Sequence, residues 1–474
     1  MCYEHRNRVR IPLAPPNVGL PAIEPGICRG TKASHRRCRV ECAFATVTAA
    51  RDQPDLAGHR CGTAVDDRLV ARFEVMHPFA VGKNPDMRIA ISGAGVAGAA
   101  LAHWLQRTGH IPTLIEEAPK FRTGGYMIDF WGLGYRVAQR IGIEAQILDA
   151  GYQVQCVRSV GPSGEIKADL GVDVFRRMIG DDFTSLPRGD LAAAIYATIE
   201  NHVETIFGDS IAAIDERSNG VHVAFEHQRP RDFDLVIGAD GLHSNVRRLV
   251  FGPESNFEHY LGCKVAACVV DGYRPRDELI YVTYNTPGRQ VGRFALRDDR
   301  TMFLFVFRAE HSSKGATPKE QLHNQFGDAG WECPRILAAL EHVDDLYFDV
   351  VSQIRMDHWS QGRVLLIGDA AGCISLLGGE GTGLAITEAY LLAGKLMRAD
   401  GDHQRAFSAY ETQLRPFIRD KQSSADRFIS FFATRTRFGL WFRNVAMRTM
   451  NFAPLAIVFG GGVRDDFELP EYGI

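Results

Sequence analysis

One short segment constrains the fold more than any other. Arg88–Ser92 reads RIAIS, an apolar strand, and runs directly into Gly93-Ala94-Gly95-Val96-Ala97-Gly98. This GxGxxG pattern is followed by AALAHWLQRTG, in which Leu101, Trp104, Leu105 and Thr108 share a helical face and Gly109 supplies a stop. A second strand, Thr113–Ile115, ends in Glu116, 23 residues after Gly93. Strand, glycine turn, helix, strand and terminal acid stand in the order a dinucleotide-binding βαβ unit requires. Gly93 permits the tight turn, Gly95 lets a pyrophosphate approach the backbone, and Gly98 lets the helix pack close to the strand. The helix N-terminus offers free N–H groups to phosphate, and Glu116 is placed to accept from a ribose diol.

Two later segments extend the pattern. Phe233–Asp240 reads FDLVIGAD, a strand ending in Gly238-Ala239-Asp240-Gly241, followed by the helix-like LHSNVRRLVFG. Gly362–Asp369 reads GRVLLIGD, a buried strand, and leads into a glycine-rich stretch and an apolar helix from about Thr382 to Met397. An Asp directly after a buried strand can accept from ribose or ribityl hydroxyls, or can simply cap the next helix. Glycines between Gly378 and Gly383 allow backbone N–H groups to approach an electron-rich ring. There is one GxGxxG unit, so a second dinucleotide domain is not expected.

Taken together, these motifs resemble the single-component FAD-dependent aromatic hydroxylases, the p-hydroxybenzoate hydroxylase-like monooxygenases, from Met87 to Met397. Gly124-Gly125-Tyr126-Met127-Ile128-Asp129 is similar to the branch of tetracycline-inactivating enzymes. The resemblance implies an α/β fold: a Rossmann-like FAD-binding domain, an inserted, mostly antiparallel β-sheet substrate domain, and C-terminal helices. It implies FAD held by Gly93, Gly95, Gly98, Glu116, Arg122, Arg188, Asp240, Gly241, Asp369, Gly381, Thr382 and Gly383. It also implies NADPH or NADH as transient co-substrate and O₂ activation through a C4a-hydroperoxyflavin, with one oxygen delivered to an aromatic or polyketide-like molecule. Catalytic side chains are not assigned, because the flavin carries the chemistry. Rival expectations are a related FAD-dependent reductase or halogenase, although a WxWxIP segment is lacking, and a flavin-binding protein without turnover. The chain departs from the family at Glu117, Gly372, Ser375-Leu376 and Gly383, positions that bear on substrate class and flavin mobility.

The expected organisation is an extension over 1–86, a first FAD-binding part over 87–255 with a substrate-side hairpin near 155–185, a β-sheet substrate domain over 256–350, a last FAD-binding part over 351–398, and a helical region over 399–474. In 256–350, strands such as ELIYVTYNT and RTMFLFVFRAE alternate apolar and polar residues. Tyr281, Tyr284, Phe294, Phe303, Phe305 and Phe307 make this sheet rich in aromatic surface. Between Arg427 and Met450 lie five arginines and no acid, with Phe428, Phe431, Phe432, Phe438, Trp441, Phe442 and Val445 tracing a stripe. Packing is the first expectation for that stripe, and a dimer or membrane-surface face is the alternative.

Charge and cysteine usage narrow the remaining classes. The chain has 54 Lys+Arg and 57 Asp+Glu in 474 residues, net −3, which suits a globular protein and argues against a general nucleic-acid binder. Its longest nearly apolar stretch, Phe452–Val463, is broken by Pro454 and glycines and is too short to span a membrane. Cys2, Cys28, Cys38, Cys42 and Cys61 cluster in the first 86 residues, which carry net +4 and leave −7 for the rest. Cys28, His35, Cys38 and Cys42 match no common zinc spacing, so no metal is expected, and Met87 reads as the natural start. The other cysteines read as reduced thiols of a cytoplasmic protein, monomer or homodimer.

Overall fold

The computed structural model describes residues 86–121, 125–174, 176, 180, 182–311, 315–450 and 467–474, with only the backbone of 426–431. The N-terminal cysteines, the zinc reading, Arg122 and Gly124 lie outside the described residues. Described residues all belong to one compact unit, Phe79–Ile474.

A six-stranded sheet organises the nucleotide side. Arg88–Ser92 lies at its centre, flanked in parallel by Ile111–Glu116 and Leu235–Gly238; Glu204–Phe207 and Val364–Leu366 extend it, also parallel, and Ser360–Gln361 adds an antiparallel edge. Parallel strands buried on both faces need continuous apolar sequence, and Ile89–Ile91, Leu235–Ile237 and Val364–Leu366 are fully or almost fully buried. Because these strands run the same way, Gly93, Glu116, Asp240 and Asp369 all emerge at their C-terminal ends. That edge is where open α/β sheets bind ligands.

The helix Val96–Arg107 is buried from Val96 through Leu105, beyond the one face expected of it. Small residues explain the difference. Ala99, Ala100 and Ala102 let the long helix Gly381–Ala399 pack against it, and Trp104 meets Tyr390 edge-on at 5.0 Å between ring centroids. That long helix begins at Gly381 and ends at Ala399, a little beyond the expected bounds at each end. The helix Gly132–Ile141 packs on it through two backbones: a Cβ on Gly134 would sit 2.4 Å from Gly383 Cα.

A seven-stranded sheet forms the second layer. It joins the hairpin Cys156–Val160 and Ile166–Gly171 to Glu258–Asp271, Ile280–Thr286, Arg289–Ala295, Arg300–Arg308 and Tyr347–Ile354, the last of which spans position 350. Pairing is antiparallel except between Ile280–Thr286 and Cys156–Val160. Alternation along each strand divides the aromatics. Tyr284, Phe303, Phe305 and Phe307 pack beneath the helices Pro318–Phe326 and Cys333–Leu340. Phe294 and Tyr281 turn to the opposite face, with Trp131, Phe183 and Met302. The six aromatics singled out from sequence therefore line two surfaces, and only the second meets the nucleotide side.

The contact between Gly134 and Gly383 is testable. Gly134→Ala forces two helix backbones apart, and we expect a loss of about 1–3 kcal/mol in chemical denaturation. An unchanged midpoint would contradict the close approach.

Candidate cofactor site and substrate cavity

The site begins at the glycine turn. Gly93 takes φ +98°, and a Cβ there would come within 2.6 Å of Ala239 O. A Cβ on Gly98 would overlap Gly93 O at 1.9 Å. Gly95 differs: a Cβ there meets nothing within 4 Å, so its backbone faces open space at the N-terminus of Val96–Arg107, where no side chain caps the helix. Tight packing on two sides and space on the third is the cradle a pyrophosphate needs. Glu116 closes one end, accepting from Ala94 N at 2.9 Å and Ala118 N at 3.0 Å.

Asp240 follows the strand Leu235–Gly238, and its Cα lies 3.0 Å from where a Gly93 Cβ would be. One carboxyl oxygen accepts from Ser244 Oγ, the other from Val246 N at 3.0 Å and Ser92 Oγ at 3.3 Å. Asp240 thus pins the start of Asn245–Val250, with Gly241 at φ +79° making the bend. Burial raises its pKa, and these three donors pull the other way.

A Cβ on Gly368 would lie 3.3 Å from Ala97 Cβ, which sets Asp369 beside the glycine turn. A Cβ on Gly381 would lie 3.6 Å from Asp369 Oδ1. Arg188 opens the helix Arg188–Ala197, and its N–H donates to Tyr126 O at 2.9 Å. Burial opposes the Arg188 charge, yet Tyr126, Asp369 and Tyr347 outweigh it and raise its pKa. Burial also raises Asp369, against the pull of Arg188, and pushes Tyr126 up to about 12. Both Arg188 and Asp369 keep accessible surface although protein surrounds them, as residues lining an internal space do. Thr382 and Gly383 follow Gly381 in the first turn of Gly381–Ala399, where a Gly383 Cβ would lie 3.9 Å from Trp131 O.

Several residues the motifs did not single out hold this groove. Arg247 is fully buried; it donates to Ala370 O at 3.0 Å, Leu242 O at 2.6 Å and Glu254 Oε2 at 2.7 Å, fastening the loop after Asp240 to the turn after Asp369. Ser244 caps that helix by accepting from Arg247 N, a signal readable as a Ser directly before the helical run. His243 bridges Glu254 at 2.9 Å and Asp349 at 3.0 Å, and the Asp349 bond first of all raises its pKa to about 9. Lys421 pairs with Glu380 at 2.6 Å just before Gly381. Glu388, on Gly381–Ala399, accepts from Gly368 N at 2.6 Å and Tyr410 OH at 2.9 Å. Burial lifts its pKa to about 7.

Asp129 stands on the strand Met127–Trp131; it is accessible, and burial raises its pKa against a hydrogen bond from Ser185 Oγ. Tyr281, on the sheet beyond, also lies against Ser185. A cavity of about 530 Å³ opens beside Gly125 and Tyr347. Ser375, in the turn between, takes φ +107°, a conformation few L residues adopt, and Leu377 after it packs against Val265, Val306 and Val351 of the sheet.

Uncapped helix amides beside tightly packed glycines, an acid at the end of the next strand and a glycine-lined turn after Asp369 are the parts of a dinucleotide-type site. Residues 86–421 match the family model described as FAD binding domain. A flavin-dependent monooxygenase from an unknown prokaryotic organism is 35% identical over 340 residues, covering 71% of this chain and 87% of that protein. Crystal structures of tetracycline destructases are similar: Tet(51) at 29% identity and TM-score 0.70, over 81% of this chain and 100% of that one. Tet(55) gives 31% and 0.69, over 82% and 100%. The chain belongs to this FAD-binding family, and it is a flavin-dependent monooxygenase, an oxidoreductase with FAD as cofactor.

Glu388 yields a pH prediction. Its folded pKa, about 7, lies above the ordinary glutamate value, so the native state holds a proton that the unfolded chain releases. Its contribution to stability is present below the unfolded pKa and falls as pH rises to about 7. Glu388→Gln should flatten the melting-temperature profile across that window. A variant whose profile parallels the parent would contradict the assignment.

Proposed function

We propose that the protein inserts one oxygen atom of O₂ into an electron-rich aromatic or polyketide-like substrate, with NADPH or NADH as electron donor. The balance is substrate, O₂, reduced nicotinamide and a proton giving hydroxylated substrate, water and oxidised nicotinamide. The observation that carries this reading is an accessible carboxyl, Asp129, on the strand that also brings Trp131 to Tyr281 and Phe294 in one aromatic cluster. Apolar walls with few polar groups suit a flat substrate and exclude water from its reacting carbon.

Each site residue then has a part. Gly93, Gly95 and Gly98 shape the turn whose amides take the pyrophosphate, and Glu116 takes the adenosine ribose. Arg188 and Asp369 hold the ribityl and phosphate region, while the backbone of Gly381, Thr382 and Gly383 meets the pyrimidine edge. Asp240 and Gly241 work through the loop they hold, which three donors to the Asp240 carboxyl fasten. Bound FAD would supply electron storage and oxygen activation. Asp129, held by Ser185 Oγ, would orient a substrate hydroxyl or amine, and burial, which raises its pKa, favours its taking a proton from that group. The solved tetracycline destructases support a polycyclic substrate class. Free thiols at Cys156, Cys263, Cys268, Cys333 and Cys373 suit a reducing, cytosolic setting.

NADPH and NADH oxidation by the FAD-loaded protein, followed with a panel of phenols and tetracyclines, tests the proposal. Oxidation stimulated by a compound that gains one oxygen atom is expected. Stimulation by none, with hydrogen peroxide as the sole product, would contradict it. Asp369→Ala should lose bound flavin on gel filtration while its far-UV circular dichroism is retained, and full retention of flavin would contradict its role.

A further inference from the structure

The helix Arg437–Met450 does not turn its aromatic stripe inward. Its packed face rests on the edge strand Ile166–Gly171, where Met447 is buried with Ala168, Leu170 and Val174. On that same side Arg443 is buried, donating to Asn285 Oδ1 at 2.7 Å and to Ser159 Oγ at 3.3 Å. Phe438, Trp441 and Phe442 face the other way and are 72%, 59% and 57% exposed, which corrects the first expectation for these residues. Phe428 and Phe431 lie among the residues whose side chains are outside the described set.

Helical spacing makes these residues one surface. At about 100° per residue, Arg437, Arg448, Trp441, Val445, Phe438 and Phe442 fall in that angular order within an arc of roughly 140°. The aromatics occupy the centre and far side of the arc, and exposed Arg437 and Arg448 form one edge. Exposed Arg435 lies just before the helix, and no acid occurs between Arg427 and Met450. An exposed aromatic face with a one-signed cationic border is complementary to an interface that is apolar below and anionic above.

We propose that this helix face seats the protein on an anionic lipid surface. Phe438, Trp441 and Phe442 enter the boundary between headgroups and acyl chains, and Arg435, Arg437 and Arg448 meet lipid phosphates. Trp suits that depth, because its ring is apolar and its N–H is polar. A second copy of the chain fits less well: an antiparallel two-fold contact through this face would set the edge of Arg437 and Arg448 against its own copy, and a parallel one would set it against aromatic side chains, with no acid on the helix to offset the charge. The association is peripheral, as no helix among the described residues is long and apolar enough to cross a membrane.

Sedimentation of the full-length FAD-loaded protein with vesicles tests this. Phosphatidylcholine vesicles containing phosphatidylglycerol should bring it down, pure phosphatidylcholine vesicles far less, and salt should release it. A triple variant, Phe438→Ser, Trp441→Ser and Phe442→Ser, should bind roughly tenfold more weakly while keeping its melting temperature and flavin content. Arg437→Gln with Arg448→Gln, which leaves the aromatics intact, should weaken binding most at low salt. Failure of the parent protein to bind anionic vesicles, or equal binding by parent and triple variant, would overturn the proposal. So would a triple variant that changes from dimer to monomer by light scattering with vesicle binding unaltered.

Discussion

Everything at this site depends on main chain meeting main chain where side chains would intervene. Gly93 lies against Ala239, Gly98 against Gly93, and Gly134 against Gly383. The first two contacts draw the central strand, its helix and the strand before Asp240 into one rigid corner. The third brings the helix Gly132–Ile141 onto the helix that starts at Gly381. Of the three glycines in the turn, Gly95 alone faces open space, so that is the direction in which the turn's packing relents. A cofactor bound there would contact backbone more than side chain, which is why so few residue types can occupy these positions.

The charges around that corner are arranged to survive burial. Arg188 and Asp369 oppose each other across the chamber, and each limits the other's desolvation cost. Arg247 has no exposed surface; its two terminal nitrogens bond two carbonyls and Glu254, while its Nε is left without a partner among the described residues. Glu388 holds Gly368 from behind, so the residue before Asp369 is fixed by a side chain on the long helix. His243 then ties the nucleotide side to Asp349 on the second sheet. Removing one partner from such a network leaves a buried charge uncompensated, so these residues position the site without touching a ligand.

Much of the nucleotide side was legible in the sequence because its constraints are local. A strand followed by GxGxxG and a small-residue helix allows few packings, and Asp240 and Asp369 each directly follow an apolar strand. What was not legible depends on residues distant in sequence. His243 and Asp349 are 106 positions apart, and Gly134 has meaning only beside Gly383. Period-two alternation placed the aromatics of the second sheet on strands, but not on a face; Phe303, Phe305 and Phe307 turn away from the chamber while Phe294 and Tyr281 turn toward it. The stripe after Arg427 had the right period for a helix, yet period alone does not say which side meets protein. Buried Arg443 reversed that choice.

The central claim is that this groove holds FAD, and a visible absorption spectrum of the purified protein after incubation with FAD and removal of free cofactor tests it most directly. Bands near about 375 and about 450 nm, shifted or structured relative to free flavin, are expected of the isoalloxazine in a half-buried chamber. A colourless protein that emerges folded, with all added FAD in the flow-through, would contradict the account.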